Sequence, residues 1–255
     1  MPTSLGKHNP QLAAVRELRT KKGRVAQRRF AFEGPTLLEE ALAAAIEIQA
    51  VYATPAAVER YDQLTLAEVA GIAVFTVDDA AMARLTDVET PTGVLGIAAI
   101  AQTPAGEIFA RPQPLAVLAG IQDPGNAGTL LRSAEAFGIG AVVFDGSSVE
   151  PHNPKVVRSA MGALFRLQIG HCDAAQAAGW LEGRTCVGLD ARGGPIGAVH
   201  WGETPVIVIG SERHGLDAWR PLCTGLAAIP MTGNAESLNA GVAGSIAFYE
   251  ATKRL

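Results

Sequence analysis

The chain contains two separate series in which short apolar runs alternate with amphipathic stretches, the pattern of strands that alternate with helices. In the first series a helix is predicted at 9–22, strands near 30–34, 48–53, 72–77 and 93–100, and further helices starting at Pro35, Thr54 and Asp78. Such a series is typical of a small α/β domain in which helices cover a sheet. We therefore expect an N-terminal domain over residues 1–100.

The second series starts at Leu115 and predicts a parallel sheet. Its runs, such as residues 205–210, are apolar throughout, which is typical of strands covered on both faces. The predicted strands are 115–120, 141–145, 165–169, 185–189, 205–209 and 226–231, and the predicted helices are 129–137, 154–162, 173–181 and 237–251. Residues 101–114 hold three prolines without periodicity and are interpreted as a linker to a domain over 115–255.

Three segments rich in glycine and polar residues follow predicted strands of the second series. They span residues 122–132, 210–215 and 231–239. In open parallel sheets, ligands bind beyond the carboxyl ends of the strands, where these segments would converge. They are therefore one candidate site.

The first segment combines Asn126 with Arg132 near the start of a helix that Thr129 could cap. A cation beside backbone N–H groups at a helix start suits a phosphate or another anion, although Arg132 could also be a surface ion-pair partner. The spacing matches neither the dinucleotide-binding glycine fingerprint nor a P-loop.

The other two segments supply further polar groups. Gly210 would let a flat ligand approach the strand end, Glu212 could orient a polar group, and His214 is interpreted as a surface histidine. Ser237 and Asn239 stand where the last predicted helix begins, so that either could bind a ligand or simply cap the helix.

The charged residues are unevenly distributed along the chain, and this bears on whether the protein binds nucleic acid. The net charge is −4, yet residues 1–30 hold eight of the 21 basic side chains and one of the 25 acidic ones. The rest of the chain holds 13 basic and 24 acidic residues. A basic arm on an acidic body can bind a phosphate backbone locally, or it can be a solvated helix face.

Cysteines and hydropathy bear on the compartment. Cys172, Cys186 and Cys223 lack the spacing of metal ligands and are interpreted as reduced thiols. No apolar run approaches the roughly 18 residues of a membrane span, and the N-terminus has no apolar signal-peptide centre. We therefore expect a cytoplasmic protein without a metal site or membrane segment.

Together and in this order, the three segments resemble the motifs of the SpoU (TrmH-like) family of RNA 2′-O-methyltransferases in the SPOUT superfamily. The matching residues are Asn126, Gly128 and Arg132; Gly210, Glu212, Gly215 and Leu216; and Ile229, Pro230, Met231, Glu236, Ser237, Leu238, Asn239, Val242 and Ala243. Residues 32–34 and 90–93 are more weakly similar to the ribosomal-protein-like substrate-binding domain of many members. Ser211 and Arg213 depart from the family pattern.

The resemblance implies an α/β fold whose C-terminal parallel sheet carries a trefoil knot, and a homodimer with the site at its interface. It implies S-adenosyl-L-methionine as methyl donor, held at Gly210, Ile229, Met231 and Leu238. It assigns catalysis and substrate positioning to Asn126, Arg132, Glu212, Ser237 and Asn239.

The implied reaction transfers a methyl group to a ribose 2′-hydroxyl of RNA, and the front domain favours 23S ribosomal RNA over transfer RNA. A guanidinium is a poor base because its pKa exceeds about 12. We therefore expect Arg132 to bind the adjacent phosphate and stabilise a developing alkoxide, with Glu212 as the alternative proton acceptor. A transfer-RNA methylase, an antibiotic-resistance enzyme, a non-catalytic RNA-binding protein and a nicotinamide oxidoreductase are the alternatives.

Overall fold

The computed structural model describes residues 2–6, 9–233 and 236–253. The chain divides into two compact units. The first comprises the residues up to Ile100 together with His152–Phe165, and the second comprises Ala101–Pro151 together with the residues from Arg166 onward. Lys7, part of the predicted basic arm, lies outside the described residues.

The first unit contains a mixed five-stranded sheet. Its strands are β1 (Thr3–Ser4), β2 (Arg29–Glu33), β3 (Ile48–Ala53), β4 (Val74–Thr76) and β5 (Val94–Ala99), in the spatial order β1-β4-β3-β5-β2. Its helices, numbered along the whole chain, are α1 (Pro10–Glu17), α2 (Lys21–Gln27), α3 (Pro35–Ala43), α4 (Pro55–Arg60), α5 (Asp62–Val69), α6 (Asp79–Leu85) and α9 (Pro154–Ala160), and a 3₁₀ helix lies at Ala163–Phe165. β5 pairs antiparallel with β2 and β3, whereas β1, β4 and β3 pair in parallel.

The helix predicted over 9–22 is in fact two helices. The Thr20 side chain caps α2 by accepting a hydrogen bond from the Gly23 N–H at 3.1 Å. The turn is tight, because a Cβ on Gly23 would lie 2.1 Å from the Glu17 carbonyl oxygen. Arg24 turns inward, is 2 % exposed and donates to the Leu18 carbonyl at 2.8 Å. This arginine therefore does not belong to the exposed basic surface.

The second unit contains a six-stranded sheet in which every pair is parallel, which confirms the parallel sheet predicted for this half of the chain. Its strands are β6 (Leu115–Ala119), β7 (Ala141–Phe144), β8 (Gln168–His171), β9 (Cys186–Pro195), β10 (Val206–Gly210) and β11 (Gly225–Ala228), in the order β11-β9-β10-β6-β7-β8. Its helices are α7 (Ala105–Ala110), α8 (Pro124–Ala136), α10 (Ala174–Ala177) and α11 (Ala240–Thr252), with 3₁₀ helices at Ala178–Trp180, Ile196–Ala198 and Asp217–Leu222. β6 and β7 are fully buried, as continuous apolar runs require. The implied trefoil knot stays a prediction.

Residues 101–114 are not an unstructured linker. They contain α7, whose Ile108 and Phe109 are buried in the core of the second unit. Arg184 holds the segment in place by donating to the carbonyls of Phe109 and Gln113, each at 2.8 Å. A six-residue helix flanked by prolines is too short to show a hydrophobic period, so the sequence pattern missed it.

Residues 152–165 were predicted as part of the second domain but group with the first unit. There α9 packs against β2, and the rings of Phe165 and Phe32 meet edge to face at 5.6 Å. The strand predicted at 165–169 consequently begins only at Gln168. None of the described helices combines the length and the apolar character needed to cross a bilayer.

Candidate active site at the carboxyl ends of the central strands

The first predicted segment opens α8, directly after the central strand β6. Asp123, rather than Thr129, caps this helix and accepts from the Asn126 N–H at 2.7 Å. The helix therefore begins five residues before the predicted start, at Pro124. Proline at the first helical position needs no N–H partner and favours this start. The consequence is that Asn126 lies in the first turn, close to the strand end.

Asn126 joins the three segments through its side-chain amide. Its Nδ2 donates to Glu212 Oε1 at 2.9 Å, and its Oδ1 accepts from Asn239 Nδ2 at 2.8 Å. β6 and β10 are adjacent in the sheet, so that the segments following them meet. Three residues predicted for one site, separated by up to 113 positions, thus form one hydrogen-bonded chain.

Asn239 both caps a helix and belongs to this chain. Its Oδ1 accepts from the Val242 N–H at 3.2 Å, which starts α11, while its Nδ2 reaches Asn126. The helix cap that the sequence offered for Asn239 is therefore present, and ligand binding by this residue stays a prediction. The helix begins at Ala240, three residues after the predicted start at 237.

Glu212 connects the second segment to the start of α11. Its Oε1 also accepts from the Ala240 N–H at 3.2 Å. A negative charge at a helix N-terminus is stabilised by the N–H groups that have no partner within the helix. Glu212 is thereby held from two sides, by a side-chain amide and by a helix end.

A cavity of about 720 Å³ opens beside these hydrogen-bonded side chains. Its volume is within the size range of small-molecule sites. All four positions predicted to hold a cofactor line it, namely Gly210, Ile229, Met231 and Leu238. Glu212 and Ser237 line it as well. Its wall is apolar along Ala227, Ile229 and Leu238 and polar towards Glu212.

Gly210 is required by the backbone of its own loop. Ser211 and Gly215 exchange two backbone hydrogen bonds, of 3.1 and 2.9 Å, that fold the loop back onto the strand end. A Cβ on Gly210 would then lie 2.2 Å from the Gly215 carbonyl oxygen. The close approach that the sequence attributed to a ligand is made by the protein itself. His214 is exposed, as expected, and lines the cavity.

Arg132 lies apart from the other predicted residues. It is exposed on α8, does not line the cavity, and forms no ion pair or hydrogen bond with the residues that the structure describes. Ser133 beside it contacts Ser245 of α11, Oγ to Oγ at 2.6 Å. The structure thus brings four of the five predicted catalytic residues to one place and leaves Arg132 exposed on α8, away from the cavity lining.

Two large apolar side chains of the last helix, α11, face outward. Val242 is 47 % and Tyr249 52 % exposed, and Tyr249 meets Phe137, the residue after α8, edge to face at 5.7 Å. The buried face of α11 consists mainly of small residues: Ala240, Gly241, Gly244, Ala247, Phe248 and Ala251. Small residues let the helix approach the sheet closely, which an apolar-stripe argument does not detect.

Two charged residues that the sequence analysis missed also line the cavity. Asp190 and Arg192 belong to β9, which runs to Pro195 rather than ending at 189. Hydrogen bonds from Arg192, together with the charges of Arg192 and Arg220, hold the pKa of Asp190 at about 2. The glycine pair 193–194 directly after these charges was the available signal that the strand bends here.

A parallel sheet whose strand ends hold a cavity and a cluster of amide and carboxylate side chains defines an α/β protein with a small-ligand site. The SpoU rRNA Methylase family matches residues 113–249, and the MRM3-like substrate binding domain matches residues 9–96. The chain belongs to the SpoU rRNA methylase family, which confirms the resemblance drawn from the three segments.

Individual relatives are similar over 66 % of this chain or more. The 23S rRNA (guanosine(2553)-2′-O)-methyltransferase RlmP of Bacillus subtilis (strain 168) is 30 % identical over 94 % of this chain and 95 % of its own length. The 23S rRNA (uridine(2479)-2′-O)-methyltransferase of Streptomyces viridochromogenes is 32 % identical over 66 % and 58 %. The AdoMet-bound rRNA methyltransferase of Sinorhizobium meliloti superposes with a TM-score of 0.88 at 26 % identity, covering 99 % of this chain and 98 % of that one.

Proposed function

We propose that this protein transfers the methyl group of S-adenosyl-L-methionine to a ribose 2′-hydroxyl of ribosomal RNA, with 23S RNA as the favoured substrate. The observation that carries the proposal is the chain Asn239–Asn126–Glu212 beside the 720 Å³ cavity. Relatives named as 23S rRNA 2′-O-methyltransferases support the choice of reaction and substrate.

The residues around the cavity suit this donor. Apolar walls at Ile229 and Leu238 suit an adenine ring, and the charged and polar side chains elsewhere in the lining suit the amino-acid end. A related structure is named as AdoMet-bound. When bound, the donor supplies an activated methyl group on a sulfonium. Gly210, Ile229, Met231 and Leu238 would hold it.

In the proposed reaction the residues around the cavity would align the ribose 2′-hydroxyl with the methyl group that the donor supplies. The hydroxyl proton leaves to Glu212 or to water. Because the leaving group is already good, alignment of the hydroxyl should dominate, and alignment can contribute roughly 7 kcal/mol. Asn126 and Asn239 fix the position of Glu212, and Ser237 positions the ribose.

The role proposed for Arg132 in catalysis requires a second copy of the protein. Arg132 does not line the cavity of its own chain, and it stands on a helix pair with the exposed apolar side chains Val242 and Tyr249. A two-fold dimer that buries this face would carry the arginine towards the partner's cavity. There it would bind the substrate phosphate and stabilise the developing alkoxide. We therefore propose a homodimer whose sites are shared.

The first unit would hold the RNA. The basic side chains that remain exposed on and after α1 and α2 are Arg16, Arg19, Lys21, Lys22, Arg28 and Arg29. Clustered cations of this kind bind phosphates with salt-dependent affinity. The match to a substrate-binding domain over residues 9–96 supports the same role.

The decisive experiment incubates the purified chain with S-adenosyl-L-methionine and either 23S ribosomal RNA or transfer RNA, and maps 2′-O-methylated nucleotides. We expect a single modified position in ribosomal RNA that is also absent from cells lacking the protein. Methylation of transfer RNA alone would overturn the substrate, and donor binding without methylation of either RNA would favour a non-catalytic RNA-binding protein.

A further inference from the structure

One arginine stands on a bulge of β9 and plays no part in the mechanism above. β9 pairs with β11 at Gly188 and again only at Gly194, while β11 advances by a single residue from Leu226 to Ala227. Pairing with β10 also ends at Gly188. Residues 189–193 are therefore looped out, and Arg192 is one of them. Bulges occur next to active sites, where they redirect side chains.

Glycine makes this bulge possible. A Cβ on Gly193 would lie 2.5 Å from the Leu226 carbonyl carbon and 2.6 Å from the Ala227 nitrogen. The chain can therefore return to the sheet only at a residue without a side chain. Asp190 and Arg192, which line the cavity, are consequently held there by backbone geometry.

The guanidinium of Arg192 is held by a partly buried carboxylate, that of Asp190. Asp190 Oδ1 accepts from Arg192 Nε at 2.9 Å, Asp190 Oδ2 accepts from its terminal nitrogen at 2.8 Å, and Arg220 contacts the same Oδ2 at 2.5 Å. The Asp190 side chain is 12 % exposed and that of Arg192 is 73 % exposed. Since a guanidinium has five N–H bonds, Arg192 keeps donors for another anion.

The charges of the side chains around the cavity indicate which ligand group Arg192 would bind. Among the described residues that line it, Arg192 is the only lysine or arginine, and Asp190, Glu212 and Glu236 carry negative charge. The proposed donor has one anionic group, the carboxylate of its amino-acid end. Guanidinium groups match carboxylates in charge and in planar geometry.

We propose that Arg192, positioned by Asp190 on the β9 bulge, binds the carboxylate of S-adenosyl-L-methionine and so selects the donor by its intact amino-acid end. This inference rests on the proposed function. Arg192 is a specificity-determining residue in this account, and Asp190 is a positioning residue. A phosphate of the RNA is the other anion that could reach the cavity, and the experiment below separates the two.

The test is titration calorimetry of the full chain with S-adenosyl-L-methionine and with its decarboxylated form, which differ only in the carboxylate. We expect the wild type to prefer the carboxylated donor by about tenfold, as one charge-assisted pair can provide. Arg192→Ala should weaken binding of that donor about tenfold and leave the decarboxylated form unchanged, so that the preference disappears. Arg192→Lys should retain part of it.

Arg213→Ala is the matched control, because Arg213 is also an exposed arginine but does not line the cavity. It should bind both ligands like the wild type, and thermal unfolding should show all variants folded. An equal loss for both ligands, or an unchanged donor affinity with weakened RNA binding, would overturn the proposal. If the wild type binds S-adenosyl-L-methionine and Arg192→Ala does so equally well, only this inference fails. A wild type that binds neither ligand refutes the proposed function as well.

Discussion

Asn126 is the residue on which the arrangement of the site depends most. Its amide donates to Glu212 and accepts from Asn239, so that a carboxylate and a helix cap are aligned by one side chain. Neither partner can replace it, because Glu212 offers only acceptors when ionised and the Oδ1 of Asn239 is occupied by the Val242 N–H. The amide of asparagine offers a donor and an acceptor on two separate atoms of one short side chain.

Asn126→Ala should therefore lower the rate of methyl transfer about a hundredfold, the size of effect expected when reacting groups are misplaced by about 1 Å. Donor affinity should change little, because Asn126 does not line the cavity. Single-turnover kinetics and calorimetry measure the two quantities separately. Ser133→Ala, on the same helix, is the control for structural disturbance. Loss of donor binding in Asn126→Ala would contradict a purely aligning role.

Asp190 should make stability depend on acid pH. Its pKa is lowered by hydrogen bonds from Arg192 and by the neighbouring arginine charges to about 2. A carboxylate with a lowered pKa contributes stability above its unfolded pKa, near 4, and loses it as the pH falls through the folded value. Asp190→Asn should thus reduce the free energy of unfolding by roughly 1 kcal/mol at neutral pH, and the difference from the wild type should vanish towards pH 2.

Urea unfolding of both proteins between pH 2 and 7, a range set by the shifted and ordinary pKa values of aspartate, measures this difference. Glu203→Gln, which removes an exposed carboxylate that forms no hydrogen bond or ion pair with the described residues, is the control. A constant difference between Asp190→Asn and the wild type across the range would mean that the ion pairs add nothing to stability.

At the level of elements, the site depends on how closely α11 packs against α8 and β10. Glycine and alanine form most of the buried face of α11, and a Cβ on Gly244 would lie 2.2 Å from Leu130 Cδ2 and 3.1 Å from Ile209. Close packing brings the N-terminus of α11, with Asn239, within reach of Asn126. The spacing between α8 and α11 therefore sets the distance between Asn126 and Asn239.

Gly244→Ala should destabilise the protein by about 1–2 kcal/mol, because overpacking outweighs the better helix propensity of alanine. Methyl transfer should fall as well, since α11 must move. Adding Leu130→Val removes the clashing methyl group, and the double variant should lose less stability than the sum of the two single variants. Gly179→Ala, where no atom lies within 4 Å of the added Cβ, should be close to neutral. Additive losses would show that the two residues do not compete for space.

At the scale of the whole molecule, one chain does not complete the proposed site. The cavity and the hydrogen-bonded side chains of Asn239, Asn126 and Glu212 belong to the second unit. Arg132 does not line this cavity, and we propose that it acts in the cavity of a second copy of the protein. The exposed apolar side chains of α11 offer the face on which a second copy would bind. The dimer is thus part of the catalytic proposal.

Mixing experiments test this shared site. Arg132→Ala and Glu212→Gln should each abolish methyl transfer, while Arg132→Ala should keep its affinity for the donor. Refolding the two variants together should restore about a quarter of wild-type activity, because half of the dimers are mixed and each has one complete site. Activity that stays absent after mixing would place Arg132 and Glu212 in the same chain's site.

The sequence alone determined the parallel sheet, the three segments after its strands and the family, because buried strands need continuous apolar runs and strand ends converge by topology. Only the tertiary structure decided that 152–165 joins the first unit, that the β9 bulge brings Asp190 and Arg192 to the cavity, and that Arg132 does not line it. Each of these depends on contacts between residues far apart in the chain, and no local pattern of hydrophobicity records such contacts.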